Sequence, residues 1–493
     1  MAFQSNQLHF VVFPFMAPGH MNPMMDVAKL LAQQGAIITI VTTPHNAKRF
    51  ATNVARAVES GLQMKFIEVQ MKLEEAGLPI DCENVDLLPS LRLAKEFLTA
   101  TSTFQAPVEI LFEELTPRPN CIISDALLPY TANVASKFHI PRISFNGTSC
   151  FANLCFLRIQ VSGILDSITS DSERVTVPGM PGHFEFTKDQ LPWFMFPMEY
   201  INQIIAAEAI SHGRIINSFQ ELESKYIQQY KRDKEDGGYK VWCVGPVSLC
   251  NKDNTDRLHR GNKASIDESQ LLKWLDLQQP ASVIYVCLGS LCNLITSQMI
   301  VLGLGLDASG KPFIWAISGG EKLKGQEKWL AEDDFEDKIK GRGLLIQGWA
   351  PWVLVLSHHS LGGFYNHCCW NSILEEVYAG VPMVPSPLFL DQFFNEKLVL
   401  EVLQTGVDVG ATSPIKWRED ERIGVLVKKE CVRKAVDKLM KDGEESKERK
   451  ERAKHFNELA REAMKEEGSS CLNLKQLMKY LMEIIFLIHH PST

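Results

Sequence analysis

The chain has 493 residues, of which 45% are hydrophobic and 22% are charged. These proportions are ordinary for a globular protein, and at about 150 residues per domain the length predicts two or three domains. The formal net charge of −8 argues against nucleic acid as a partner, because phosphate-binding domains are usually basic. No apolar run approaches the roughly 18 residues of a transmembrane helix, so we expect no membrane span.

Twelve cysteines are scattered along the chain without a C-x-x-C motif. In a chain of this length, that pattern is typical of reduced thiols in a cytoplasmic protein. The run HFVVFPF (9–15) follows no basic segment and soon meets Pro18. It therefore predicts a buried strand and not a signal peptide.

Apolar runs alternate with helical patterns along the first half of the chain. The run at 9–15, the helical pattern MNPMMDVAKLLAQQG and the run AIITIV (36–41) form one βαβ unit. Further strands are predicted at 121–124, 142–145, 214–217 and 240–244. Uninterrupted apolar strands that alternate with helices indicate a parallel sheet covered on both faces.

A polar stretch at 245–269 lacks periodicity and predicts a linker or a long surface loop. The alternation then resumes, with strands predicted at 282–290, 312–318, 343–349, 361–367 and 381–387 and helices near 297–308 and from Trp370. We therefore expect two doubly wound α/β domains. Ligands of such sheets bind beyond the carboxyl ends of the strands, so the two domains are expected to face a cleft.

Polar side chains are concentrated around the start of the helix predicted from Trp370. His367 ends a predicted strand, Asn371 and Ser372 begin the helix, and Glu375 projects from the same face one turn later. A helix N-terminus binds anions readily, so these residues predict a site for a nucleotide diphosphate. In the alternative interpretation, Asn371 and Ser372 are only N-caps and Glu375 is a surface charge.

Two further residues are candidates for proton transfer. His20 is predicted to lie in the loop PGH after the first strand, and Asp125 ends the strand CIIS, so both are expected at the ligand edge of the first sheet. An imidazole can accept the proton of a hydroxyl group, and a carboxylate behind it can orient the ring. The sequence alone does not bring the two together, and either one could instead be structural or solvated.

The stretch WAPWVLVLSHHSLGGFYNHCCWNSILEEVYAGVPMVPSPLFLDQ (349–392) resembles the signature of the plant family 1 UDP-dependent glycosyltransferases, usually met as WAPQ…HCGWNS…E…AGVP…DQ. The resemblance extends over nearly the whole chain and includes PGHMNPMMDVAKLLAQQG, NSFQELE, VGP, YVCLGS and ASGKPFIW. It implies a GT-B fold of two Rossmann-like α/β domains. The implied divisions are an acceptor-binding domain at 1–245, a linker at 246–275, a UDP-sugar-binding domain at 276–465, and a C-terminal helix at 466–493 that packs back on the N-terminal domain.

The same resemblance implies a role for each matching residue. Trp349 would stack on uracil, the Ala350 backbone would bond the edge of the base, and Glu375 would hold the ribose. The implied diphosphate ligands are Ser290, His367, Asn371 and Ser372, and the implied sugar contacts are Trp370, Asp391 and Gln392. Because this family associates Gln392 with glucose donors, UDP-glucose is the implied co-substrate, with no permanently bound cofactor and no metal. His20 would be the base and Asp125 its supporting acid in an inverting transfer.

The acceptor is expected to be a small lipophilic molecule, and the protein is expected to be a monomer. Loops rich in apolar residues are FMFPM (194–198), CFANLCFL (150–157) and LLPSLRL (87–93), although each stretch could equally form core. Relatives with similar N-terminal sequences act on flavonoids, triterpenoids or steroids, so the resemblance implies one of these classes.

The chain departs from the family signature at Trp352, Cys369, Ser386 and Leu390. Cys369 replaces a glycine, which could supply a positive φ or a close approach to phosphate; alternatively, φ is negative there and cysteine is tolerated. These changes leave open a degenerate paralogue that binds a nucleotide sugar or a lipophile with little turnover, or a transferase that uses another UDP-sugar. A nicotinamide enzyme is disfavoured because no G-x-G-x-x-G follows a strand, and a metal-dependent transferase is disfavoured because no D-x-D occurs.

Overall fold

The computed structural model describes residues 7–192, 197–235, 237–251, 264–292, 294–317, 329–330, 334–415 and 425–489. The chain forms two compact units. The first comprises Met1–Cys150, Met195–Gly261 and Glu462–Thr493, and the second comprises Phe151–Phe194 and Asn262–Arg461. Each unit is a Rossmann-like α/β structure built on its own parallel sheet, as expected for the GT-B fold class.

A parallel sheet of seven strands, counted over the described residues, forms the centre of the first unit. Its strands are β1 (His9–Phe13), β2 (Ile37–Thr42), β3 (Met64–Glu68), β4 (Cys121–Asp125), β5 (Arg142–Asn146), β8 (Gly213–Ile216) and β9 (Lys240–Cys243). Their spatial order is β3-β2-β1-β4-β5-β8-β9. In this register Phe10 lies beside Ile38 on one side and Cys121 on the other.

Helices surround this sheet. They are α1 (Pro18–Gln33), α2 (Pro44–Glu59), α3 (Ala94–Ser102), α4 (Gln105–Glu114), α5 (Tyr130–Phe138), α7 (Met198–Ala209), α8 (Gln220–Glu235) and the last helix, α17 (Ser469–His489). Leu477 and Leu481 of α17 are fully buried in the cluster that contains Phe10 and Ile38. The end of the chain therefore contributes to the core of the first unit.

The second unit contains a five-stranded parallel sheet within the described residues. Its strands are β10 (Val283–Cys287), β11 (Phe313–Ile317), β12 (Gly343–Gln347), β13 (Leu361–Asn366) and β14 (Met383–Pro385), in the spatial order β12-β11-β10-β13-β14. Its helices are α9 (Glu268–Asp276), α10 (Thr296–Ala308), α11 (Phe335–Lys338), α12 (Trp352–Ser357), α13 (Trp370–Ala379), α14 (Gln392–Lys397), α15 (Lys429–Met440) and α16 (Glu444–Ala463). A π-helical turn, Leu398–Leu403, continues α14.

The segment Phe151–Phe194 belongs to the second unit, although the sequence grouped it with residues 1–245. It contains most of α6 (Cys150–Ser162) and an antiparallel hairpin of β6 (Arg174–Thr176) and β7 (Glu185–Thr187). The rings of Phe156 and Phe186 meet the ring of Phe394 edge-on, with centroids 5.3 and 4.8 Å apart. Such aromatic contacts act between residues that are remote in sequence, so no local pattern reveals them.

Every strand predicted from an apolar run is present, with ends that differ by a few residues. The strand β3 was missed because it lies at the edge of its sheet, where Lys65 and Glu68 interrupt the apolar pattern. The first helix begins at Pro18, three residues before the predicted pattern, since proline suits the first helical position. The predicted linker contains α9 at its end, where Asp267 caps the helix through Ser269 and Gln270.

Within the described part of the chain, no helix has the length and the apolar character needed to cross a lipid bilayer.

Candidate active site

His20 and Asp125 come together in the first unit. His20 lies in the first turn of α1 and not in a loop, and Asp125 is the last residue of β4. His20 Nδ1 is 2.8 Å from Asp125 Oδ2. The adjacent pairing of β1 with β4 explains the contact, because the residues that follow two neighbouring parallel strands meet at one edge of the sheet.

The Asp125 carboxylate is buried and held from two sides. Its Oδ1 atom accepts a hydrogen bond from the Leu127 amide at 2.9 Å, while Oδ2 faces His20. A carboxylate only accepts hydrogen bonds, so Nδ1 of His20 must carry the proton of the neutral ring. Nε2 is then the basic nitrogen, and the His20 side chain is 31% exposed. This tautomer suits a general base.

Aromatic side chains lie beside the His20–Asp125 pair. Phe15 meets His20 edge-on at 5.3 Å between centroids and meets Phe97 edge-on at 5.9 Å. Tyr200 donates to the Leu127 carbonyl at 2.7 Å. All three aromatic side chains are buried, so they pack behind the pair as part of the core of the first unit.

The three apolar stretches that were candidates for acceptor binding differ in how far they are described and in how exposed they are. Residues 194–196 of FMFPM lie outside the described residues. The stretch at 150–157 is the beginning of α6, and its Phe151 and Leu154 are fully buried, so the core interpretation is correct for them. In the third stretch, Leu88 is buried whereas Leu87 is 37% exposed.

In the second unit, His367 directly follows β13 and packs against Gly289, which lies two residues after β10. A Cβ atom built on Gly289 would lie 2.4 Å from His367 Nε2. Ser290, a predicted diphosphate ligand, is the next residue. Burial lowers the pKa of His367 to about 4, so the ring is neutral, and its Nδ1 atom has no hydrogen-bond partner among the described residues.

The helix α13 begins at Trp370, as predicted. Its N-cap is Cys369, so Asn371 and Ser372 are in the first turn and the N-cap alternative is wrong for both. This helix end supplies backbone N–H groups next to His367. The Trp370 side chain is 1% exposed, so a sugar contact at this position would have to use its main chain.

Two adjacent carboxyl groups on α13 have opposite environments. Glu375 is half-buried and lies near the Cys287 thiol at the end of β10. Burial is the main cause of the raised pKa of that thiol, and the charge of Glu375 raises it further. Glu376 is fully buried and accepts one hydrogen bond, from Asn366 Nδ2 at 3.0 Å. Burial raises the pKa of Glu376 well above its usual range. Glu375 is thus placed near the strand ends, and Glu376 is a core carboxyl.

Asp391 and Gln392 lie after β14, at the start of α14. Gln392 is 4% exposed, and its Oε1 atom accepts from the amides of Leu388 and Phe389 at 2.7 and 3.1 Å. The Nε2 group is therefore the end of the amide that can donate to a hydroxyl group. Leu390, which precedes them, has a φ of 56°.

Trp349 and Ala350 follow β12. Ser265, just before α9, holds the Trp349 backbone on both sides: Ser265 N donates to Trp349 O at 2.8 Å, and Trp349 N donates to Ser265 Oγ at 3.0 Å. A Cβ at Gly348 would lie 2.3 Å from that hydroxyl, so glycine permits the close approach. Sequence reasoning missed Ser265 because it lies in the stretch that predicted a linker.

Comparison with known proteins identifies the family. Residues 268–413 match the family described as UDP-glucoronosyl and UDP-glucosyl transferase, and residues 6–249 match the glycosyltransferase N-terminal domain. UDP-glycosyltransferase 73C12 from Barbarea vulgaris is 50% identical over 486 residues, which cover 98% of both chains. The chain belongs to the UDP-glycosyltransferase family. UDP-glycosyltransferase 73C5 from Arabidopsis thaliana is likewise 50% identical, over 487 residues and 98% of both chains.

Solved structures of the UDP-glycosyltransferase family have the same fold. The crystal structure of Glycyrrhiza uralensis UGT73P12, complexed with glycyrrhetinic acid 3-O-monoglucuronide, gives a TM-score of 0.87 at 34% identity and covers 98% of this chain and 100% of that chain. The structure of Medicago truncatula UGT71G1, complexed with UDP-glucose, gives a TM-score of 0.76 at 23% identity, with the same coverage. The second likeness concerns the fold alone.

The residues that depart from the UDP-glycosyltransferase signature differ in backbone conformation and in burial. Cys369 has a φ of −63° and a ψ of 134°, which any L-residue adopts, so cysteine causes no backbone strain there. The positive φ belongs to Cys368, at 60°. Ser386 is buried, and its hydroxyl accepts from Tyr365 Oη at 3.2 Å. Trp352 is half-buried at the start of α12.

Proposed function

We propose that this chain transfers glucose from UDP-glucose to a hydroxyl group of a small lipophilic plant metabolite, with inversion at the anomeric carbon. The observation that carries the proposal is the contact of 2.8 Å between His20 Nδ1 and Asp125 Oδ2, at the carboxyl end of the first sheet. Membership of the family shows that the chain is a UDP-glycosyltransferase. The proposal adds the sugar, the acceptor class and the base.

In the proposed reaction His20 Nε2 removes the proton of the acceptor hydroxyl group. The acceptor oxygen attacks the anomeric carbon, the bond from that carbon to the diphosphate breaks, and UDP leaves. One displacement inverts the configuration. Asp125 keeps the imidazole in the required tautomer and stabilises the imidazolium that forms. General-base assistance of this kind is typically worth about 10²–10⁴-fold in rate.

We propose that the donor lies along the carboxyl edge of the second sheet. The spatial strand order supports this orientation: Trp349 and Ala350 follow β12 at one edge, and Asp391 follows β14 at the other. The strands β10 and β13 between them lead to Ser290 and His367. Adjacent strands are about 4.8 Å apart, so β12 and β13 are separated by about 14 Å. Uracil, diphosphate and sugar would follow one another in that direction.

The remaining donor contacts are assigned within this orientation. Trp349 would stack on uracil, with the Ala350 backbone at the edge of the base, and Glu375 would accept hydrogen bonds from the ribose. The proposed diphosphate ligands are Ser290, His367, Asn371 and Ser372, and the proposed sugar contacts are the Trp370 main chain, Asp391 and Gln392. The neutral His367 ring supports its role, because it can donate to a phosphate oxygen without the cost of a buried charge.

Gln392 supports glucose as the transferred sugar. Its Oε1 atom is engaged by two backbone amides, which fixes the direction of the Nε2 group. A fixed amide donor can distinguish sugars that differ in the configuration of one hydroxyl group, because the wrong epimer leaves it unpaired.

The proposed acceptor is a triterpenoid, a steroid or a flavonoid. The edge-on contact between Phe15 and the His20 ring gives the proposed base an apolar neighbour, which supports a lipophilic acceptor. The complex of the 34% identical Glycyrrhiza uralensis protein with glycyrrhetinic acid 3-O-monoglucuronide supports a triterpenoid.

A degenerate paralogue with little turnover is the less favoured function. Its main support was the cysteine at position 369, and the φ of −63° removes the argument from backbone strain. The contact between His20 and Asp125, and the half-buried position of Glu375, also support turnover over a degenerate paralogue.

The test measures UDP release and product mass with UDP-glucose, other UDP-sugars and a panel of the three acceptor classes. Wild-type protein should glucosylate at least one lipophilic alcohol, and His20→Ala should lower kcat by about 10²–10⁴-fold. His183→Ala is the matched control. His183 also lies close to a carboxylate, with its Nε2 atom 3.4 Å from Glu185 Oε1, but its side chain is 73% exposed and it has no proposed role in the reaction. Near-normal transfer by His20→Ala would refute the assignment of the base.

A further inference from the structure

The turn between β13 and α13 contains a buried residue in an unfavourable conformation. Cys368 has a φ of 60° and is fully buried. L-residues other than glycine rarely adopt this region, and they remain there only when the surroundings hold them. The turn is important because it joins His367 to the start of α13.

Two buried side-chain amides hold this turn. The Cys368 amide donates to Asn366 Oδ1 at 2.7 Å, and the Cys368 carbonyl accepts from Asn395 Nδ2 at 3.0 Å. Both asparagines are fully buried. Asn366 ends β13, whereas Asn395 lies on α14, 27 residues further along the chain.

Asn395 has a second acceptor. Its Nδ2 group also donates to Asp391 Oδ2 at 2.9 Å, one helical turn away. A side-chain amide carries two N–H hydrogens, so one group can serve both the Cys368 carbonyl and the Asp391 carboxylate. The bond to the carboxylate is charge-assisted and therefore the stronger type.

We propose that Asn395 is a positioning residue for the donor sugar. It fixes the Asp391 carboxylate relative to the turn that carries His367. The residue proposed to contact the sugar is thereby held at a fixed position relative to the residue proposed to bind the diphosphate. Asn395 is fully buried, so it acts through Asp391 and does not touch the donor. The proposal rests on the proposed function in one respect, namely the assignment of Asp391 to the sugar.

The proposal predicts a specific loss. Without Asn395 the Asp391 carboxylate loses a charge-assisted hydrogen bond that orients it, and the affinity for the transferred hexose of the donor should fall. Hydrogen bonds to charged groups are usually strong enough for an effect of about tenfold on the Kd for UDP-glucose. The Kd for UDP should change less than about twofold, because the Cys368 amide keeps its hydrogen bond to Asn366 and UDP lacks the transferred hexose that Asp391 would hold.

The experiment measures Kd values for UDP and UDP-glucose by calorimetry on the full chain, together with Tm. The variants are Asn395→Ala, Asp391→Ala and the double variant, with Asn133→Ala as an exposed control of the same residue type. If Asn395 acts through Asp391, then Asn395→Ala should add almost nothing to the loss seen in Asp391→Ala. Asn395→Leu, which loses the donors and is close in volume, serves if the alanine variant does not fold.

Several outcomes would overturn the proposal. A parallel loss of UDP and UDP-glucose binding, additive effects of the two substitutions, or an unchanged Kd in Asp391→Ala would each do so. UDP release by the wild-type protein is measured separately, and it reports on the proposed function. Absence of turnover with intact sugar-specific binding would therefore refute the function and leave the role of Asn395 standing.

Discussion

Gly289 and His367 are in such close contact that a Cβ atom on the glycine would lie 2.4 Å from Nε2 of the imidazole. Gly289 also has a φ of 83°. The end of β10 and the end of β13 thus meet through one residue without a side chain and one buried ring. This contact places Ser290 and His367 side by side.

Gly289→Ala should therefore displace His367 and weaken donor binding. The positive φ costs about 1–2 kcal/mol, and the displaced ring adds to that cost, so we expect a loss of roughly 2–3 kcal/mol in the free energy of unfolding. The Kd for UDP should also rise. Gly310→Ala is the control, because its φ is 65° and no atom lies within 4 Å of an added Cβ. Equal effects of the two substitutions on UDP binding would contradict the role of the contact.

Asp125→Asn should lower kcat strongly without unfolding the protein. Asparagine can still accept from the Leu127 amide through Oδ1, but it then presents Nδ2 to His20. The ring must take the other tautomer, with the proton on Nε2, where it cannot act as a base. We expect a loss of about 10²–10⁴-fold in kcat.

A second histidine–aspartate pair supplies the control for Asp125→Asn. His358 Nε2 lies 3.1 Å from Asp276 Oδ1, and the Asp276 side chain is 68% exposed. Asp276→Asn should leave kcat unchanged. Comparable losses in the two variants would show that the rate does not depend on the orientation of His20.

Glu375→Gln and Glu376→Gln should have opposite consequences. Loss of the Glu375 charge should raise the Kd for UDP-glucose by about tenfold, with a change of less than about 0.5 kcal/mol in the free energy of unfolding. Glu376→Gln should leave the Kd unchanged and raise the free energy of unfolding at pH 7. Calorimetry and denaturant titration of both variants check these expectations.

The pH dependence of Glu376→Gln follows from the raised pKa of Glu376. Its folded pKa lies above the usual value of 4.5, so the unfolded chain releases the proton first as pH rises. The stability that this group contributes is complete below about pH 4.5 and is lost as pH rises toward the folded pKa. Each unit of the raised pKa costs about 1.4 kcal/mol at higher pH. The variant should therefore gain stability at pH 7 and none near pH 4; a constant difference would contradict this account.

Cys369→Gly should not improve the enzyme. Since Cys369 already has a negative φ, glycine relieves nothing and increases the entropy of the unfolded chain. Because glycine is favoured over alanine at an N-cap, this entropy cost is partly offset, and we expect Cys369→Gly to change the free energy of unfolding by less than about 1 kcal/mol, with the same KM for UDP-glucose. Thermal unfolding and donor titration test this expectation. A marked gain in kcat for the glycine variant alone would support the alternative that this chain is a degenerate paralogue with little turnover.

Local patterns were sufficient to predict most strands and the cluster of polar residues at the start of α13. Apolar runs flanked by turns predicted the strands, since burial on both faces of a parallel sheet requires continuous apolar sequence. The residues His367, Asn371 and Ser372 were found because they cluster around one helix start. Their roles in donor binding stay predictions.

Some features were beyond sequence reasoning because they depend on long-range contacts. Glu375 and Glu376 are identical in sequence terms, and only packing makes one half-buried and the other a core carboxyl. Ser265 and Asn395 lie outside the helix-start cluster, and their partners are 84 and 27 residues away. Hydrogen bonds over such distances leave no periodic trace.

The sequence by itself determined the α/β class, the residues at the strand ends and the family resemblance, because these depend on local composition and on motifs. The tertiary structure decided which strand ends are neighbours, and so brought His20 to within 2.8 Å of Asp125 and His367 against Gly289. It also decided that the positive φ belongs to Cys368 and not to Cys369. The physical reason is that strand order and turn conformation follow from packing between distant segments, which no single segment of sequence encodes.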